Sequence, residues 1–112
     1  IASTYEADPV AGVPIEPITP QALRLLAMPN PFRTGSTTVA FTLPVASTVD
    51  LAVYDISGRL VRALQSGPLA AGTQNILWDG RDDNGRDVAG GIYFVRLRAD
   101  KALVQTKVVK VR

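Results

Sequence analysis

From Gln21 onward, apolar side chains fall at every second position. Leu23, Leu25 and Ala27 alternate with Ala22, Arg24 and Leu26 until Pro29-Asn30-Pro31 interrupts the run. Val39, Phe41 and Leu43 alternate with Thr38, Ala40 and Thr42 as far as Pro44. Val49, Leu51 and Val53 alternate with Thr48, Asp50 and Ala52, and Tyr54-Asp55 then leads into Ser57-Gly58. A shorter apolar segment spans Arg59 to Leu64, and Thr73 to Trp78 sets Ile76 and Trp78 on one face. Ile92 to Ala99 sets Tyr93, Val95 and Leu97 opposite Phe94, Arg96 and Arg98. Ala102 to Val111 closes the series, with Val109 and Val111 expected on one face and Lys110 and Arg112 on the other. Period two marks a strand with one buried face, and no segment sustains a helical period.

Seven short strands over about ninety residues, separated by turn chemistry, predict an all-β, immunoglobulin-like two-sheet antiparallel sandwich. Asn84-Gly85 is the strongest turn signal, because both residues accept the positive φ of a tight turn. Gly58 and Gly85 fit turns that need that conformation, and Gly91 is expected where the chain passes close to a core strand. The expected core holds Phe41, Val53, Trp78, Tyr93, Val95 and Leu97. The chain has no Cys, so Trp78 must pack on the aliphatic face of the opposite sheet rather than on a disulfide.

Residues 1–20 read differently. Pro9, Pro14, Pro17 and Pro20 recur every few residues, each fixing φ and biasing its predecessor towards extended backbone. This predicts a semi-rigid, Pro-rich linker over 1–20 and a folded domain over 21–112. No signal peptide is visible, and the chain reads as the far end of something longer. No apolar run is long enough for a membrane-spanning helix.

Net charge is +2, and the arginines are interleaved with acids rather than gathered into a stripe, which argues against nucleic acid as a partner. The absence of His as well as Cys removes the commonest general base, the usual nucleophile pairings and the preferred zinc ligands. The glutamates, Glu6 and Glu16, both lie in the linker, away from any rigid scaffold. The glycines do not form a phosphate-cradling loop before a helix. An enzyme is not expected, nor any cofactor.

One stretch, Trp78 to Asp87, is dense in oxygen ligands. Aligning Gly85 with the bend of a calcium-binding loop puts Asp82 and Asn84 at ligand positions, but Gly80 falls at the first and Gly91 at the last. Asp79, Asp82, Asp83 and Asp87 could therefore serve only a looser site. The simpler reading is that Asp and Asn cap their own backbone in a tight turn. Sugar binding on a sandwich needs exposed aromatics, and only Phe32, Tyr54 and Phe94 are expected at the surface, too few for a platform.

Four motifs occur in order: Pro29-Asn30-Pro31-Phe32, Val53-Tyr54-Asp55-Ile56-Ser57-Gly58-Arg59-Leu60-Val61, Trp78-Asp79-Gly80-Arg81-Asp82-Asp83-Asn84-Gly85 and Gly91-Ile92-Tyr93-Phe94-Val95-Arg96-Leu97. A basic terminus follows, Thr106 to Arg112. From about residue 28 to 112 this series resembles the C-terminal sorting domain of type IX secretion substrates, itself similar to the immunoglobulin-like domain of the flagellar hook-capping protein. The resemblance implies a tag that directs a larger exported protein to the cell surface, by way of the periplasm and outer membrane. It implies as partners an outer-membrane translocon, a surface sortase-like protease and an upstream cargo domain in the same chain. Lys107, Lys110 and Arg112 match the family's basic tail and are the candidates for translocon recognition. The alternative for these charges is a solvated edge strand guarded against pairing. The alternative for the domain is a non-catalytic binding or spacer module for carbohydrate or cell-wall contact. A hook-cap scaffold is a third reading.

Overall fold

The alternation in sequence becomes alternation in burial. In a computed structural model of the chain, residues 18–111 are described, and the segment Thr37–Leu43 runs strictly buried, half-buried, buried from end to end. The strands are β1 Leu26–Met28, β2 Thr37–Leu43, β3 Ser47–Asp55, β4 Leu60–Leu69, β5 Gly72–Trp78, β6 Gly91–Ala99 and β7 Ala102–Lys110. All ladders within the sheets are antiparallel. One sheet has the order β1-β2-β5 and the other β4-β3-β6-β7. The fold is the expected all-β, immunoglobulin-like sandwich of seven strands.

Between the sheets lie Phe41, Leu51, Val53, Trp78, Val95 and Leu97, all essentially inaccessible, with Tyr93 at the rim. Trp78 takes Phe32 and Tyr93 edge-on, each ring centre 5.5 Å away and inclined by 66°. This is the geometry aromatic quadrupoles prefer. Burial leaves the indole N–H needing an acceptor, and Nε1 donates to the Arg81 carbonyl at 3.0 Å. The buried Thr37 hydroxyl is satisfied likewise, donating to Pro29 O at 2.7 Å.

The long edge strand β4 extends past the segment expected from sequence. Its pairing with β3 shifts register between Leu51 and Ala52 and again between Val53 and Tyr54. The irregularities bring Val61 and Leu64 against the core, while Gly67 and Pro68 fit an edge where a missing N–H costs little. Ahead of β1, Pro20–Leu23 forms a 3-10 turn that buries Leu23, and Ile18 packs against the core. Of the linker expected over 1–20, residues 1–17 lie outside the described residues, as does Arg112.

Three expectations need correcting. Phe32 is not a surface aromatic: it is 2% exposed, because the residues after Pro31 fold back under Trp78. On β7, Val108 and Lys110 face inward while Lys107 is exposed, so the face assigned to Val109 and Val111 is the wrong one. At Gly91 the expected close approach is absent, since a Cβ there would meet nothing within 4 Å.

Candidate functional site

The basic strand β7 separates its lysines. Lys107 lies on the outer face, exposed to solvent. Lys110 is 7% exposed, and its ammonium donates to Gly80 O at 3.2 Å, Val88 O at 2.7 Å and Asp87 Oδ1 at 2.9 Å. A buried ammonium is tolerable only when its donors are all engaged, and here three acceptors from one loop receive them. Gly80 suits this corner through its φ of +76°, which side-chain-bearing residues rarely adopt, while a Cβ there would only touch Lys110 Cε and Nζ and the Phe32 ring at 3.4 Å. Lys110 thus ties the last strand to the β5–β6 loop, and it is not a surface charge.

Pro29-Asn30-Pro31-Phe32 closes the outer edge of the same strand. The Asn30 side chain donates from Nδ2 to Lys107 O at 2.7 Å and accepts Val109 N at Oδ1, 3.0 Å away. Phe32 N then donates to Val109 O, and Val111 N to Phe32 O, giving a parallel bridge between Phe32 and Lys110. A side-chain amide followed by one residue of backbone does the work of a neighbouring strand. That leaves fewer open groups on an edge that would otherwise invite pairing with another chain.

Two loops at the same end of the sandwich repeat one design, which the sequence spells as Asp55-Ile56-Ser57-Gly58-Arg59 and Asp82-Asp83-Asn84-Gly85-Arg86. In each, the first Asp accepts the amides two and four residues on through one carboxylate oxygen. In each, the glycine amide donates to the Asp carbonyl, and the Asp amide to the Arg carbonyl. Gly58 and Gly85 sit at φ of 86° and 79°, a conformation that penalises any residue with a Cβ. The Ser57 hydroxyl adds a third donor to Asp55 at 2.6 Å. That hydroxyl, then the Arg59 amide, the Ser57 amide and the Arg59 charge, hold the Asp55 carboxyl below its ordinary value of 3.8.

A cleft of about 480 Å³ lies between the twin turns, with Leu60, Val61 and Tyr93 among its walls. Burial, reinforced by the Asp55 charge, raises the Tyr93 phenol above its usual 10, and the phenol donates to Ala89 O at 2.6 Å.

The acids singled out from sequence are dispersed among separate tasks. Asp79 accepts the Arg81 amide and pairs with Arg62, Asp82 caps its turn, Asp83 accepts Ala63 N, and Asp87 pairs with Lys110. Among the described residues, no group of three or more acidic side chains is arranged to hold a metal ion. For sugar stacking, Phe32 is lost to the core. Tyr54 lies under Arg96, whose guanidinium is 4.4 Å from its ring centre.

Residues 30–102 match the family model of the FlgD Ig-like domain, a span that covers both twin turns and all of the four motifs except Pro29. The chain belongs to that family. A curated relative, the basal-body rod modification protein FlgD of Salmonella typhimurium, is 35% identical over 60 residues, covering 54% of this chain and 26% of its own length. The chain thus spans about a quarter of the curated relatives it matches.

Among solved structures, FlgD from P. aeruginosa superposes with a TM-score of 0.56 at 26% identity, over 76% of this chain and 72% of that one. PorZ, described as an essential bacterial surface component of the type-IX secretion system of Porphyromonas gingivalis, gives 0.57 at 22%, over 79% and 11%. Dimeric latent PorU from the same organism gives 0.61 at 23%, over 78% and 9%. For PorZ and PorU the likeness is one of fold.

Proposed function

We propose that this domain is a non-catalytic tag that directs a larger protein through the outer membrane by type IX secretion and places it at the cell surface. The observation that carries the reading is the ordered motif series leading into a basic final strand, with Lys107 presented to solvent. The occurrence of the same fold within PorZ, a surface component of that system, supports it. Because Lys110 is engaged inside the fold, the recognition role assigned to the basic tail passes to Lys107 and Arg112. The translocon, the sortase-like protease and the upstream cargo are the partners this role requires.

The test fuses the 112-residue chain to the C-terminus of a neutral reporter in a host that carries the secretion system. The reporter should reach the surface, and Lys107→Glu with Arg112→Glu should leave it in the periplasm with the domain folded. Surface delivery by that double variant would remove the basic tail from recognition. Periplasmic retention of the unmodified fusion would overturn the export role.

The 35% identity to FlgD favours a second reading, a scaffold module in flagellar hook assembly. Replacing the immunoglobulin-like domain of Salmonella FlgD with residues 18–112 and scoring motility separates the two.

A further inference from the structure

The outer face of the four-stranded sheet carries two arginines, Arg96 and Arg98, that the export reading does not use, beside the Lys107 that it does. Register places Tyr54, Phe94 and Lys107 in one row, Ala52, Arg96 and Gln105 in the next, and Asp50, Arg98 and Leu103 in a third. Those rows hold three cations and one carboxylate. None of Arg96, Arg98 and Lys107 forms an ion pair among the described residues. Ala52 stands opposite Ala63 on β4, and these small side chains floor a hollow of about 330 Å³ walled by Tyr54, Leu60, Arg96, Arg98 and Leu103, with the one carboxylate, Asp50, at the Arg98 end. The Tyr54 ring holds the Arg96 guanidinium by its flat side at 4.4 Å, a contact that orients the fork without consuming its N–H donors.

We infer that this face docks an extended, acidic segment of polypeptide, seating carboxylates at alternate positions on Arg96 and Arg98 over the hollow. Arg96 and Arg98 are two residues apart on one strand face, about 7 Å, and a strand-like partner repeats its side chains at the same interval. Guanidinium forks match carboxylates in two parallel hydrogen bonds. Single-stranded nucleic acid would need free aromatic faces for its bases, and Arg96 already covers Tyr54 while Phe94 is half-buried. Anionic membranes select clusters of about four to eight basic residues, more than this face offers with Asp50 among them.

The test uses the purified 112-residue chain, labelled with ¹⁵N, and therefore succeeds or fails independently of export. A peptide of alternating Ser and Glu should shift amide resonances over residues 94–98 and 103–107. Arg98→Gln should weaken it about tenfold, the loss of one charge-assisted pair, with an unchanged melting temperature. Arg96→Gln should weaken it as well, and raising the salt concentration should do the same. Shifts that are absent or lie elsewhere, or Arg98→Gln binding like the parent, would overturn the inference. So would tighter binding to a single-stranded oligonucleotide or to phosphatidylglycerol vesicles, each of which names a different partner.

Discussion

The ammonium of Lys110 stands 2.7 Å from the carbonyl oxygen of Val88, on a loop 22 residues earlier in the chain. Reversing this charge sets a carboxylate against two carbonyls and Asp87. Lys110→Glu should therefore cost roughly 3–5 kcal/mol, as breaking a buried ionic contact does. Lys107→Glu, on the exposed face of the same strand, should stay within about 0.5 kcal/mol. Urea unfolding of the two variants separates these outcomes, and equal losses would mean that Lys110 is not enclosed.

Phe32 and Trp78 meet edge to face at 5.5 Å. Truncating either to Ala should cost roughly 3–5 kcal/mol. A double-mutant cycle should show a coupling of about 0.5–1.5 kcal/mol beyond the separate losses, as aromatic pairs do. Strict additivity would mean the two rings stabilise the fold separately.

Asn30 replaces a strand along the edge of β7 with two side-chain hydrogen bonds. Asn30→Ala should destabilise by about 1–2 kcal/mol, since both bonds are partly exposed to water. It should also speed hydrogen exchange at the Val109 amide more than at the core amide of Val95. Unchanged protection at Val109 would count against the clamp.

The Asp55 carboxyl titrates below its ordinary 3.8 in the folded chain, first because of the Ser57 hydroxyl and then the Arg59 amide. A depressed folded pKa gives stability that is present above the unfolded value and lost as pH falls through the folded one. Melting temperature should thus decline on acidification below about pH 4. Asp55→Asn should flatten part of that decline, and an identical acid limb in the variant would show that other carboxyls govern it.

The strands and most of the core were legible because β2, β3 and β6 bury one face and expose the other, which a period of two records directly. Phe32 was not legible: it follows Pro31 in an irregular segment, and nothing in a local pattern says that such a segment doubles back beneath a tryptophan. Lys110 misled for a related reason. Val108, Val109 and Val111 allow either parity, and the usual preference of lysine for water picked the wrong one. The acceptors that reverse that preference, Gly80 O and Val88 O, are backbone atoms and leave no mark in the sequence. The twin turns were in plain letters, since Asp55 and Asp82 each precede a Gly-Arg pair by the same interval. Period-two reading passes over such repeats, because turns carry no alternation.

The parallel bridge between Phe32 and Lys110 has a mechanical consequence. Segment 30–32 and the end of β7 run in the same direction, so tension that draws the chain before Asn30 away from the chain after Lys110 pulls the paired segments past each other along their length. The hydrogen bonds from Phe32 and Val111, with those of Asn30, then bear the load together in shear rather than opening one after another. The domain is thereby built to hold its shape when pulled from both ends.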